Sequence, residues 1–125
     1  MFENRKQNTL FETGEIEITS FAKHRLYDEN EDVQFLLERH RAGDWGRSIG
    51  RSDRQNNESC LNGTNDSFYL HSHYTLGNSG GIAITTYDDP QTRERKTIVE
   101  TNAEYVMRIS ELRRAAEPVD PYDID

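Results

Sequence analysis

The sequence predicts an α+β fold in which a small antiparallel sheet packs against two or three helices. Three observations support this prediction. Apolar side chains recur at every second position from residue 68 onward, which is typical of strands with two different faces. Apolar residues three and four positions apart in 33–42 indicate an amphipathic helix. With 125 residues, of which 33% are hydrophobic, the chain can bury one modest core.

The chain divides into three predicted parts. Residues 1–10 are polar and are expected to form a flexible N-terminus. Residues 11–116 are expected to fold as a single α+β domain. Residues 117–125 hold four acidic side chains and two prolines. They are predicted to form a disordered acidic tail, because such a segment has little to bury.

The first half of the domain is predicted to supply one strand and two helices. Polar and apolar residues alternate in 15–19, which predicts a short N-terminal strand with one solvent-facing side. Ser20 is expected to cap a short helix that ends near Leu26. The amphipathic helix 33–42 comes next, and Gly43 supplies a left-handed stop.

The second half is predicted to form most of the sheet. The polar span 47–58 is interpreted as a loop, with a single helical turn near 56–61. A three-stranded antiparallel meander is then expected, with strands at 68–76, 82–87 and 95–101.

A final helix is expected after the meander. Thr101 or Asn102 can cap its first turn. Val106, Ile109 and Leu112 trace its apolar side. Pro118 is expected to end it, because proline cannot continue a helix.

Charge and composition narrow the classes of partner. The net charge is −8, which disfavours binding to nucleic acid and to anionic membranes. No apolar run approaches the ~20 residues of a transmembrane helix. Cys60 is the single cysteine, so no internal disulfide can form. We therefore expect a cytoplasmic protein with a protein partner, and homodimerisation through the sheet edge stays open.

The block 43–46 reads Gly-Asp-Trp-Gly and follows the amphipathic helix. Trp45 is expected to be buried between helix and sheet, since a single indole in a lean core is most simply placed there. The alternative is an exposed indole that anchors a partner. Five arginines gather around the block and could form a basic patch or intramolecular ion pairs. They are Arg39, Arg41, Arg47, Arg51 and Arg54.

His71 and His73 place two imidazoles on one face of a predicted strand. This spacing permits metal binding in principle, but a metal site would need a third ligand. Asp44, Asp88 and Asp89 qualify by chemistry alone. The alternative is that both histidines lie on the solvent face of the sheet. We predict no catalytic residue, no metal and no cofactor, and the candidate binding residues are Arg39, His40, Asp44, Trp45, Arg47, His71 and His73.

The most specific motif is the Arg39-His40 pair followed after two residues by the block 43–46. With Phe35-Leu36 it is similar to a helix-turn pattern that reads FLxRHxxGDWG. Further matching positions are Asp53, Asn57, Leu61, Gly63, Ser72, Tyr74, 81–86, Asp89, Thr97 and Glu104-Tyr105. In these residues the chain resembles a family of short bacterial proteins encoded on plasmids and integrative elements, often labelled plasmid-related proteins.

The resemblance implies the fold and a mobile-element setting, but no defined chemistry. The chain departs from the pattern at Ala83, where the family usually has a large aromatic residue. It also departs in the longer turn 89–97, and in the final helix and acidic tail, which are additions to the pattern.

From these observations we expect a non-enzymatic accessory or interaction protein of a mobile genetic element or virus. It would act by protein–protein binding, for example by countering or regulating a host defence nuclease. One alternative is a small metal-dependent enzyme that uses His71 and His73. The other is a nucleic-acid-binding regulator that uses the arginines near Trp45.

Overall fold

The computed structural model describes residues 9–64, 67–77 and 80–116. Its elements are β1 (Glu15–Ile18), α1 (Ser20–Asp28), α2 (Val33–Arg41), α3 (Arg51–Leu61), β2 (Tyr69–Thr75), β3 (Gly81–Asp88), β4 (Arg95–Thr101) and α4 (Asn102–Ala116). The predicted α+β class is confirmed. The predicted acidic tail, and positions 1–8 of the predicted flexible N-terminus, lie outside the described residues.

The four strands form one sheet in the order β1-β4-β3-β2. β2, β3 and β4 form the predicted antiparallel meander. β1 joins the outer side of β4 in parallel, so that the sheet is mixed. The two long edges of the sheet therefore belong to β1 and β2.

The first face of the sheet carries the main apolar core. Leu36 and Leu37 of α2 pack with Ile82, Ile84 and Val99 of the sheet, and all five side chains are buried. Burial of each such side chain stabilises the fold by about 1.5–3 kcal/mol. The helix predicted from the spacing of its apolar residues thus covers the apolar side of the meander, as expected.

A second apolar cluster lies beside the first. Trp45 is only 6% exposed and packs with Phe11, Ile49, Cys60 and Leu70. The predicted burial of the indole is confirmed. The cluster joins the segment before β1 to the turn after α2 and to β2.

α3 corrects the prediction of a loop at 47–58, because an eleven-residue helix occupies Arg51–Leu61. Its sequence is polar and shows no apolar stripe, so periodicity gave no signal for a helix. The helix lies against the outer edge of β2, which it contacts through polar side chains.

These contacts satisfy backbone groups that an edge strand leaves unpaired. The Asn57 side chain donates from Nδ2 to the His71 carbonyl oxygen at 2.8 Å, and its Oδ1 accepts from the His71 N–H at 3.1 Å. Asn56 donates to the Tyr69 carbonyl oxygen at 2.8 Å. The Cys60 thiol also contacts the backbone of Tyr69. Side chains of α3 thus take the place of a fifth strand along this part of β2.

The second face of the sheet is covered by α4, which corrects the expected solvent-facing position of His71. His73, on the same face, is half-buried. Tyr105 stacks on His71, which is 4% exposed. Arg108 binds the buried carboxylate of Glu100. The inner side of α4 is thus aromatic and charged, whereas the predicted apolar positions 106 and 112 are largely exposed.

Two threonines cap the N-termini of helices in this fold. Thr19, rather than the expected Ser20, caps α1 by accepting a hydrogen bond from the N–H of Ala22. Thr101 and Glu104 form a capping box at the start of α4, in which each side chain binds the backbone N–H of the other residue. Thr19 also donates to the Glu104 carboxylate at 2.8 Å, so that one carboxylate links the starts of both helices.

Candidate functional site

Arg39 and Asp44 form an ion pair at the C-terminal end of α2. Arg39 donates to both carboxylate oxygens, at 2.7 and 3.2 Å, and its guanidinium lies 4.6 Å from the centre of the Tyr74 ring. The Tyr74 hydroxyl donates to the Asp44 carbonyl oxygen at 2.6 Å. The hydrogen bond from Arg39 lowers the pKa of the Asp44 carboxyl. These contacts fasten the end of α2 to β2.

His40 is completely buried between the two apolar clusters. Its Nδ1 lies 2.6 Å from the Ser72 hydroxyl, and its Nε2 lies 2.9 Å from the Thr86 hydroxyl. Thr86 contacts Thr97 at 2.6 Å, and Thr97 donates to the Thr13 carbonyl oxygen at 2.8 Å. A chain of hydrogen bonds thus crosses the core from β2 to the segment before β1.

The Thr13 carbonyl oxygen can only accept a hydrogen bond. It therefore fixes the direction of donation along this series of hydrogen bonds. Thr97 gives its proton to that oxygen, so it must accept from Thr86. Thr86 then accepts from His40 Nε2–H, and His40 Nδ1 accepts from Ser72. Burial is the main cause that lowers the pKa of His40 to about 3. The imidazole is therefore a neutral structural group with both nitrogens engaged.

The turn that holds Trp45 runs directly against β2. The Trp45 carbonyl oxygen accepts from the His73 N–H at 3.0 Å. Gly46 has a φ of +91°, and a Cβ at this position would lie 1.9 Å from the His73 carbonyl oxygen. Only glycine fits there. Arg47 then projects into solvent beside the Arg39–Tyr74 contact.

His71 lies beneath α4, and His73 is half-buried on the same face of the sheet. His71 Nδ1 is 3.1 Å from the Thr85 hydroxyl, and its ring stacks on Tyr105. Burial lowers the pKa of His71 to about 4, and it lowers the pKa of the half-buried His73 as well. Within residues 9–64, 67–77 and 80–116, no three histidine, cysteine or acidic side chains are placed to hold a metal ion.

The seven candidate residues therefore do not form one site. Arg39, His40, Asp44, Trp45 and Arg47 surround the end of α2, on the first face of the sheet or at its β2 edge. His71 and His73 lie on the opposite face of the sheet. Four of the seven, His40, Trp45, Arg39 and Asp44, are held by contacts that join elements of the fold.

A groove that the sequence did not reveal lies between the second half of α4 and the adjoining ends of β2 and β3. We call it the α4 groove. Its volume is about 560 Å³, within the range of about 300–1,000 Å³ that is common for binding pockets. It is lined mainly by Phe68, Tyr69, Tyr87, Pro90, Arg108 and Leu112.

Ion pairs hold the walls of the α4 groove in place. Arg108 donates to the Glu100 carboxylate at 2.6 Å, and this carboxylate is buried below the helix. Arg95 lies 3.7 Å from the centre of the Phe68 ring and pairs with Asp88. Burial, with a hydrogen bond to Tyr105, raises the pKa of Tyr69. Ion pairs and a cation–π contact thus surround the apolar lining of the groove.

One signal in the sequence could have indicated the α4 groove. Tyr69 and Tyr87 stand directly opposite each other on neighbouring strands, on the same face as His71. A sheet face with this aromatic content is expected to be buried by another element of the fold. The inner side of α4 is aromatic and charged. Its sequence therefore does not identify α4 as the helix that covers this face of the sheet.

Comparisons of the chain with protein-family models, with curated proteins and with solved structures find no match. The likeness to plasmid-related proteins therefore rests on the sequence motif. Among the described residues, none of the helices has the length and apolar content needed to cross a bilayer.

Proposed function

We propose that the protein is a non-enzymatic interaction protein of a mobile genetic element, and that it binds a protein partner in the cytoplasm through the α4 groove. The observation that carries the proposal is the groove itself. It is open, its lining is mainly apolar, and Leu112 stands at its wall with 57% of its surface exposed. Exposed apolar surface of this kind marks interaction sites.

The lining of the α4 groove suits a segment of a partner protein. Aromatic side chains line it and present rigid, apolar contact area. Arg108 lies among them and can bind a carboxylate or a backbone carbonyl of the partner. A partner would gain most from an apolar side chain inserted between Leu112 and Tyr87.

The placement of the other candidate residues favours this proposal over the two alternatives. His71 is engaged with Thr85 and covered by Tyr105, which leaves it poorly placed to act as a metal ligand. Arg39 is paired with Asp44. The net charge of −8 also opposes binding to a phosphate backbone.

The setting in a mobile genetic element rests on the resemblance carried by Arg39-His40 and the block 43–46. A host defence nuclease is one partner that such an element would gain from binding. The acidic charge of the chain would favour the approach of a protein with a basic, nucleic-acid-binding surface.

The test is affinity capture from a host lysate with the tagged full-length chain. Leu112→Glu places a charge at the wall of the α4 groove. Phe35→Glu is the matched control, because Phe35 is also on a helix, is 56% exposed and lies on the other side of the sheet. We expect one specific protein to be retained by the wild type and by the control, and to be reduced at least about tenfold by Leu112→Glu. Equal capture by all three chains, or no specific protein at all, would contradict the proposal.

A further inference from the structure

We propose that β1 accepts an extended, basic segment of a partner protein as an additional strand of the sheet. The surface is the outer side of the strand 15–18, which we call the β1 edge. It is separate from the α4 groove, so this inference goes beyond the proposed function and does not depend on it.

The hydrogen bonds between β1 and β4 identify the backbone groups that face outward at the β1 edge. Thr19 donates its N–H to the Val99 carbonyl oxygen at 3.0 Å, and Ile18 stands opposite Val99 in a parallel register. Because successive residues of a strand direct their N–H and C=O groups to opposite sides, Glu17 also directs its groups to β4. Ile16 and Ile18 therefore each direct one N–H and one C=O away from the sheet.

The two edges of the sheet differ in how these outward groups are satisfied. On β2, side chains of α3 bind the backbone of Tyr69 and His71. On β1, no residue in the described part of the chain hydrogen-bonds the outward groups of Ile16 and Ile18. The first three residues of β1 are exposed. Such an edge can pair with an extended segment of another chain.

The side chains of β1 define which segment fits. Glu15 and Glu17 are exposed on one face of the sheet, whereas Ile16 and Ile18 lie on the other face. In an antiparallel pair, side chains directly opposite each other share a face, and opposite charges stabilise the pairing. The matching segment therefore alternates basic residues, opposite the glutamates, with apolar residues beside the isoleucines. The net charge of −8 favours the approach of such a segment.

A hollow of about 140 Å³ adjoins the two glutamates on their face of the sheet, and it is lined also by Tyr87, Lys96 and Ile98. A lysine or arginine opposite Glu17 can lay its aliphatic stem against Ile98 while its charge stays at the carboxylates. Lys96 lies 3.4 Å from the Asp89 carboxylate, so its charge is paired with that group. The hollow thus suits a basic side chain of the added strand.

The same charges disfavour a second copy of the chain as the occupant. Two β1 strands that pair in antiparallel fashion about a two-fold axis keep each face of the sheet continuous. A glutamate of one copy, Glu15 or Glu17, would then stand opposite a glutamate of the other copy. Like charges directly opposite each other are destabilising. A basic segment of a different protein removes this repulsion.

The test is hydrogen exchange measured by NMR on the full-length chain. The probe is a capped peptide that alternates valine and lysine, and its matched control has the same composition with the two residue types in separate blocks. In the free chain the amides of Ile16 and Ile18 should exchange faster than those of Glu17 and Thr19. The alternating peptide at saturation should slow exchange at Ile16 and Ile18 about tenfold or more, because these amides become hydrogen-bonded. The block peptide should not.

Two variants separate backbone pairing from charge. Ile16→Pro removes an outward N–H, which an edge strand tolerates, and should abolish the slowing at Ile18. Ile16→Val keeps the N–H and is the matched control. Glu15→Lys/Glu17→Lys should lose the response to the valine–lysine peptide and respond instead to a peptide that alternates valine and glutamate. A dispersed amide signal of the core residue Leu37 establishes that each variant is folded.

The inference is overturned if the alternating peptide leaves exchange at Ile16 and Ile18 unchanged, or if the block peptide slows it equally. A response that persists in the charge-reversed variant would also overturn it, and this variant decides the matter if Ile16→Pro does not fold. Slow exchange at Ile16 and Ile18 without peptide would mean that the edge is already covered, by a second copy if the rate depends on protein concentration.

The variant Leu112→Glu keeps this test apart from the capture experiment. It changes the α4 groove and leaves the β1 edge intact, so it should respond to the alternating peptide as the wild type does. Loss of the response in folded Leu112→Glu would place the peptide in the α4 groove and would contradict the inference. Failure of the proposed function and failure of this inference are therefore distinguishable.

Discussion

Tyr105 stacks on His71, with ring centroids 4.1 Å apart and ring planes 19° from parallel. This contact joins the first turns of α4 to the middle of β2. The capping box at Thr101 and Glu104 begins the helix immediately after β4. α4 is thereby turned back over the sheet, and its second half overhangs the ends of β2 and β3. The α4 groove is a direct consequence of this placement.

The paired hydrogen bonds between Asn57 and the backbone of His71 predict a large effect of mutation. Asn57→Ala leaves one buried N–H and one buried carbonyl without their partner. Each of the two unsatisfied groups costs about 1–3 kcal/mol, so the free energy of unfolding should fall by about 2–6 kcal/mol. Urea denaturation measures this loss.

The control is Gln55→Ala, an exposed position of the same helix. It should change the free energy of unfolding by no more than about 0.5 kcal/mol. A loss in Asn57→Ala as small as in the control would mean that α3 does not satisfy the edge of β2.

The ion pair of Glu100 and Arg108 predicts strong non-additivity. Glu100 is 2% exposed, so Arg108→Met leaves a buried carboxylate without its cation. That change should cost about 3–5 kcal/mol in the free energy of unfolding. In the double variant Glu100→Gln/Arg108→Met no buried charge remains, and the loss should be clearly smaller than in Arg108→Met alone. A double-mutant cycle by urea denaturation tests this, and simple additivity of the single losses would contradict it.

The sequence was sufficient to predict the elements whose packing is apolar. Period two located β2, β3 and β4, because their alternate residues enter the core. The spacing of Leu36, Leu37 and His40 located α2 for the same reason. Trp45 was placed correctly because burial is the simplest use of a single indole in a small core.

The features that were not predicted depend on polar contacts: they are the helix α3 and the position of the predicted final helix, α4, over the sheet. α3 binds β2 through amide side chains and a thiol. Such contacts leave no repeating pattern of apolar residues in the sequence from which the helix could be predicted. α4 covers the sheet with Tyr105 and Arg108 instead of aliphatic residues, so its inner side could not be told from a solvated one. The candidate site was missed with it, since the α4 groove depends on where that helix lies.

Buried neutral histidines predict that acid destabilises the protein. The pKa of His40 is lowered to about 3 and that of His71 to about 4, from an ordinary value of 6.5. Below pH 6.5 the unfolded chain therefore binds more protons than the folded one. The stabilisation is fully present above pH 6.5 and is lost as the pH falls towards 4, by up to about 1.4 kcal/mol per pH unit for each histidine.

Urea denaturation between pH 7.5 and 5 measures this dependence above the range in which carboxyl groups titrate. His40→Gln removes one of the histidines whose pKa is lowered by burial, and it should therefore reduce the slope of stability against pH. The same variant should lose stability on the order of 3 kcal/mol at pH 7.5, because Ser72 and Thr86 lose their partner. Stability that stays constant from pH 7.5 to 5 would contradict the buried neutral state of both rings.

The account depends on α4 lying over His71, and an NMR titration of the imidazole signals tests this most directly. In the wild type, and in the control Tyr27→Ala on the exposed side of α1, His71 should titrate with a pKa of about 4. Tyr105→Ala uncovers the ring, so the pKa of His71 should rise towards 6.5 while that of His40 stays at about 3. A His71 that titrates near 6.5 in the wild type would mean that the second face of the sheet is open to solvent and that the α4 groove does not exist.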